Sequence, residues 1–118
     1  MANYRNLEVW QLSRVLTKNI YGLTTAFPRS EVFGLSAQLR RAAVSIMCNI
    51  AEGQGRWSAR DQCNFYIVAR GSLLEIESEL FIAADVEYIT AEKLEEHLNQ
   101  TEKIGRKLTG LIRSTRDR

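Results

Sequence analysis

The segment Leu39-Arg40-Arg41-Ala42-Ala43-Val44-Ser45-Ile46-Met47-Cys48-Asn49-Ile50-Ala51-Glu52-Gly53 constrains the fold more than any other part of the chain, because it reads as a helix that is apolar on too many faces. Between Ala42 and Ala51 only Ser45 and Asn49 are polar, and their spacing of four residues places them on one stripe. A helix that buries a single face needs an apolar arc only a little wider than about 100°. Leu39, Ala42, Ala43, Ile46 and Ile50 already fill such an arc, and Val44, Met47, Cys48 and Ala51 widen it. A chain of 118 residues is long enough for one domain with a real core, yet one small bundle would struggle to cover this helix all round. Val44, Met47, Cys48 and Ala51 are therefore expected to meet further copies of the same chain.

The rest of the chain punctuates itself as helices. Leu16, Ile20, Leu23 and Phe27 repeat at the alternating four-and-three spacing of an interhelical seam, and Phe27-Pro28 ends that helix because the residue before proline disfavours the helical region. Ser36 is the expected N-cap of the second helix, and Gly53-Gln54-Gly55 its stop. Ser58 with Asp61 resembles a capping box opening a third helix, whose inner stripe is Phe65, Tyr66, Ala69, Leu73, Ile76, Leu80 and Ala83. Thr90 caps a fourth, lined by Leu94, Leu98, Thr101, Leu108, Leu111 and Ile112. The reading is an all-α protein, a single domain over 1–118 with helices near 7–26, 36–53, 58–86 and 91–114. Short connections make consecutive helices antiparallel neighbours in an up-and-down four-helix bundle.

Charge is segregated along such a bundle although the net charge is only +2. From Glu75 to Glu102 nine acids and one base give −8, while Lys103 to Arg118 holds six bases and one acid, giving +5. The antiparallel arrangement collects Arg5, Arg56, Arg60, Arg113, Arg116 and Arg118 at one end, with Arg106 and Lys107 about two turns inward. Asp85, Glu87, Glu92, Glu95 and Glu96 fall at the other, diluted by Arg29. Helix macrodipoles favour cations in last turns and acids in first turns at roughly 0.3 to 1 kcal/mol apiece, which accounts for part of this pattern. They do not account for Arg5, Arg56 and Arg60, which stand at helix starts or in a turn. A basic rim meeting the phosphates of RNA or DNA is the functional reading, since self-assembly multiplies a modest patch into a ring of positive potential. The alternative is an oligomeric scaffold that binds only protein, its rim charges serving solubility. Of the two tryptophans that could stack on bases, Trp10 is expected in the core and Trp57 packed over its turn.

Polar residues interrupt the inner stripes. Arg41, Asn49 and Glu52 in the second helix, with Ser72, Glu75 and Glu79 in the third, form an expected buried network, including a pair from Arg41 to Glu75 or Glu79, that fixes register or oligomeric state. Carboxylates in a helical bundle invite comparison with di-iron proteins, but those need Glu-x-x-His pairs. The only histidine, His97, follows Leu94 by three residues in a Glu-rich stretch expected to face solvent. Gly53-Gln54-Gly55 lacks the lysine and the preceding strand of a phosphate loop. No enzyme, metal site or cofactor is expected. Cys48 and Cys63 lie in apolar helical patterns and read as buried thiols, with oxidation across a hairpin turning near Gly55 as the alternative. No uncharged run of about 18 residues and no signal segment are present, so the expectation is a cytoplasmic protein without a membrane partner.

With the helices placed, a family resemblance emerges. Leu7-Glu8-Val9-Trp10-Gln11, Phe27-Pro28 with Glu31, Gly34-Leu35, Gln38 through Ile46, Asn49-Ile50-Ala51-Glu52-Gly53, Arg56, and Gly71-Ser72-Leu73 with Glu75 together resemble proteins encoded in intervening sequences of bacterial 23S ribosomal RNA genes. Met47 stands where that family often has proline. The resemblance implies a four-helix bundle, commonly a ring-shaped homopentamer, with no established enzymatic activity. The chain is also similar to the accessory variability determinants of diversity-generating retroelements, which implies a reverse transcriptase and nucleic acid as partners.

Overall fold

Four α-helices, α1 (Glu8–Thr25), α2 (Leu35–Gln54), α3 (Ala59–Asp85) and α4 (Ala91–Arg116), with short 3-10 turns at Tyr4–Asn6 and Arg29–Glu31, make up the computed structural model. It describes residues 3–118, so Met1 and Ala2 of the domain expected over 1–118 lie outside the described residues. No strand occurs among the described residues, and no helix there is long and apolar enough to cross a membrane.

Two of the expected caps form. Ser58 Oγ accepts the Asp61 N–H and Thr90 Oγ1 accepts the Lys93 N–H, each at 3.1 Å, which satisfies amides that a first helical turn leaves without partners. The third expectation is corrected. Ser36 does not cap α2; it is buried inside the first turn. Glu31 supplies the cap instead, its Oε1 accepting the Leu35 N–H at 3.0 Å while Oε2 accepts the Tyr88 hydroxyl at 2.7 Å. Those two hydrogen bonds hold the Glu31 carboxyl below its ordinary pKa. A Cβ at Gly34 would come within 2.5 Å of that carboxylate, so glycine keeps the cap in place.

The helix stops within Gly53-Gln54-Gly55 as expected, but at Gly55, and Gly53 is an interior residue. A Cβ there would meet Tyr66 Cε1 at 2.5 Å and the Gln62 carbonyl at 3.2 Å. Its absence lets the fully buried Tyr66 ring lie against α2, where Gln54 Nε2 donates to the Tyr66 hydroxyl at 2.7 Å. Gln54 is the last helical residue, with Gly55 as the C-cap.

Hydrogen bonds between helices fix their directions. Ser45 meets Ser72 at 2.9 Å and Gln54 meets Tyr66, so residue numbers rise on α2 as they fall on α3. Thr17 to the Ala43 carbonyl (3.3 Å) and Arg40 to Thr24 (2.8 Å) give the same relation for α1 and α2. Thr101 to Glu77 (2.6 Å) and Cys63 to the Ile112 carbonyl (3.6 Å) give it for α3 and α4. Each helix packs on the next in sequence, and α4 closes back onto α1. The body measures 45 × 23 × 20 Å, the length of its longest helix. Leu16, Ile20, Leu39, Ile46, Ile50, Leu73, Ile76, Leu80, Ile104 and Leu108 fill its axis.

Candidate assembly face and basic end

The outer side of α2 exposes the apolar Val44 and Cys48 between the polar Gln38, Arg41 and Glu52. Val44 is 39% exposed, Cys48 is exposed, and Met47 and Ala51 are half-buried, so none of the four is enclosed by its own bundle. Cys48 is thereby corrected from a buried thiol to a surface one. Both cysteines are free, and only Cys63 is buried.

Sequence reasoning missed a larger feature beside it. α3 carries apolar doublets seven residues apart, Tyr66-Ile67, Leu73-Leu74 and Leu80-Phe81. The first member of each is buried, whereas Ile67, Leu74 and Phe81 are 48%, 57% and 50% exposed. Val68, Ile82 and Val86 are exposed on the same outer side, with the small residues Gly71 and Ser78 between them. The seven-residue repeat of doublets is a signal for two adjacent seams, one for the core and one left over.

The expected buried network exists only in part. Asn49 Nδ2 donates to the Ser45 carbonyl (2.8 Å) and to Ser45 Oγ (3.0 Å), which continues to Ser72; all three side chains are half-buried. Arg41, Glu52 and Glu75 are exposed instead, because they stand where the α2 and α3 surfaces part. No ion pair joins Arg41 to Glu75 or Glu79 among the described residues; Glu52 pairs with Arg56 at 3.9 Å. Glu79 is buried, and its Oε1 has no hydrogen-bond partner. Burial first, and then the charge and hydrogen bond of Glu75 one turn away, push its carboxyl up to about 7, against a smaller opposing pull from Arg41. His97 is corrected from solvated to buried, its Nδ1 paired with the Lys93 carbonyl at 2.7 Å. Among the described residues no group of three or more His, Cys, Asp or Glu side chains is placed to hold a metal ion.

The basic end assembles, with part of its charge already answered. Lys107 joins the second half of α4 to Glu8 at 2.6 Å, so it is a tie between helices and not a free cation. That contact holds the Glu8 carboxyl below its ordinary pKa. Arg116 lies 3.8 Å from Asp117, and Arg56 is shared between Glu52 and the face of Phe65, 4.5 Å from the ring centre. Arg5, Arg60, Arg106 and Arg113 are exposed and make no ion pair among the described residues. Arg60 and Arg116 line one small groove of ≈270 Å³ with Ala59, Cys63 and Asn64. Arg106 and Arg113 line another, ≈750 Å³, between α3 and α4, together with Arg70, which the sequence reading did not select. Trp57 does not pack over the turn; it is 100% exposed. Trp10 is half-buried, edge-on to Tyr4 with 5.1 Å between ring centres. The opposite end exposes Asp85, Glu87, Glu92, Glu95 and Glu96 alongside Arg29.

These observations define an antiparallel four-helix bundle with an apolar side and electrically unlike ends. The chain belongs to the 23S rRNA-intervening sequence protein family, whose model matches residues 5–110. Among solved structures it is similar to the crystal structure of a protein with unknown function from the S23 ribosomal protein family of Bacteroides thetaiotaomicron. That likeness has a TM-score of 0.79 at 28% identity and covers 88% of this chain and 97% of that one. No curated protein matches the chain.

Proposed function

We propose that this protein is a non-catalytic helical module that assembles with copies of itself and offers its basic end to RNA or DNA. The observation that carries the reading is the row of exposed apolar side chains on α3, Ile67, Leu74, Phe81 and Ile82, joined by Val44 and Cys48 on α2. Monomers rarely leave contiguous apolar patches larger than a few hundred Å² in water. Ile67 to Phe81 alone runs about 21 Å along α3. A second copy is the occupant that brings an equally long, equally apolar surface, and closed symmetric assembly is the usual way such faces are covered.

Assembly also supports the nucleic-acid part. A single chain presents few unpaired cations, whereas a ring brings Arg5, Arg60 and Arg113 from every subunit to one rim, where the potential sums. Val44→Glu or Met47→Glu is expected to yield helical monomers in light scattering; unchanged assembly would move the contact off α2. Replacing Arg56 and Arg60 with Glu should weaken nucleic-acid binding and leave assembly intact. Wild-type affinity should fall steeply with salt, with a log-log slope near −0.9 per phosphate contact for duplex DNA and about −0.7 for single strands. Absence of binding at low salt favours the protein-only scaffold.

A further inference from the structure

We infer that Trp57 is a stacking platform for an unpaired nucleobase, and that Arg60 and Arg116, which line a groove at the start of the helix that follows it, take the adjoining phosphates. The inference rests on the nucleic-acid reading above and narrows it to single-stranded or locally unpaired RNA or DNA.

Tryptophan is among the side chains a fold most readily covers, since it brings about 150–250 Å² of largely apolar surface. Trp57 is nevertheless fully exposed. Nor does it stand on a slack loop. The Arg56 N–H bonds the Gly53 carbonyl at 3.1 Å, and the Arg56 carbonyl accepts from Gln62 Nε2 at 2.9 Å. Gln62 Oε1 in turn accepts from Arg118, which ties the end of α4 to the same turn. On the other side Ser58 is fixed as the cap of α3. The backbone before and after Trp57 is therefore pinned, and the ring is held out in water. The nearby Arg56 guanidinium lies over Phe65 rather than over Trp57.

The charge at the same end of the bundle points to its ligand. Arg60 and Arg116 border one groove at the start of α3, and Arg56 and Arg118 complete the cationic margin of the turn. An aromatic face among arginines is the arrangement that binds single strands, because every base has a π face and every nucleotide a phosphate. A duplex offers the phosphates but keeps its base faces stacked inside. The other end of the molecule gives the contrast: Phe33 is 94% exposed, yet Glu31, Asp85 and Glu87 populate that end, where phosphates would be repelled.

Fluorescence tests this with Trp10→Phe as the background, so that Trp57 is the only indole. Oligothymidylate should quench its emission, and a duplex of matched length should not. Trp57→Ala should weaken oligothymidylate binding about tenfold while leaving duplex binding unchanged. Trp57→Phe should recover most of the loss, and Phe33→Ala should bind like the parent; circular dichroism checks that each variant is folded. Bound oligothymidylate with unaltered emission and unaltered affinity in Trp57→Ala overturns the inference and leaves the phosphate reading standing. Failure of both single strand and duplex to bind at low salt overturns both. An emission change caused by phosphatidylglycerol vesicles, or by protein concentration alone, without any response to oligothymidylate, overturns it by assigning Trp57 to lipid or to a second copy.

Discussion

α3 and α4 are helices of 27 and 26 residues lying side by side in one bundle, yet they present opposite surfaces to water. α4 turns outward Glu92, Lys93, Glu95, Glu96, Glu102, Lys103, Arg106, Lys107, Arg113 and Arg116, the composition of a helix that ends at solvent. α3 turns outward Ile67, Val68, Leu74, Phe81 and Ile82 in its middle, with the charged Arg60, Asp61, Arg70, Glu75 and Asp85 around them. Core packing cannot be the cause, since each helix already buries a full stripe of its own, Tyr66 to Ala83 on one and His97 to Thr115 on the other. The difference teaches that the bundle has a wet side and a side whose surface is explained by something beyond its own fold.

The largest effect should come from charging the apolar side. Leu74→Glu with Phe81→Glu is expected to weaken self-association by on the order of 100-fold with helicity retained, whereas Glu102→Lys with Arg106→Glu on α4 should leave association unchanged. Light scattering and circular dichroism together read both outcomes, and equal effects on the two helices would break the comparison.

A smaller effect is buried in the seam between α2 and α3. Glu79 has its folded pKa raised to about 7 from an ordinary value of 4.5, so the native state keeps a proton that the unfolded chain releases. Its stabilising contribution is complete below about pH 4.5 and is lost as pH rises through about 7. Unfolding free energies from urea titrations should accordingly fall across that window by on the order of 1 kcal/mol, and Glu79→Gln should flatten the dependence. An unaltered slope in that variant would place the titrating group elsewhere.

The smallest effect is the most discriminating. An added Cβ meets nothing within 4 Å at Gly71 on α3 or at Gly110 on α4. Alanine at either should therefore stabilise the isolated chain by about 0.5–1 kcal/mol through helix propensity. Gly110→Ala should do so without touching assembly. Gly71→Ala should weaken assembly, because it stands in the middle of the face assigned to a neighbour; identical behaviour of the two would remove Gly71 from that face.

Much of this architecture was legible in the chain, because local chemistry dictates it. Ser58 and Thr90 cap helices using atoms three residues away, Pro28 stops α1 by its own ring, and the seam spacings orient the cores. What was hidden depended on partners distant in sequence. Gly53 looks like a stop until Tyr66 is seen to need its missing side chain, and Ser36 looks like a cap until Glu31 reaches Leu35 first. The doublets of α3 were visible as pairs, but periodicity alone does not say that the second residue of each pair lacks a partner. Charge segregation read correctly by position, yet only the geometry shows that Glu8 and Glu52 engage Lys107 and Arg56. Trp57 was legible as a residue able to stack on bases, but its exposure was not, because sequence does not show that the turn pinned by Gln62 leaves the ring uncovered.

The account stands on α2 and α3 sharing their outer surface with sister chains. Multi-angle light scattering of the purified wild-type chain across a dilution series tests it most directly. A particle several times the 13.5 kDa chain mass, persisting to low micromolar concentration, is the predicted result. A particle of 13.5 kDa at every concentration would contradict it.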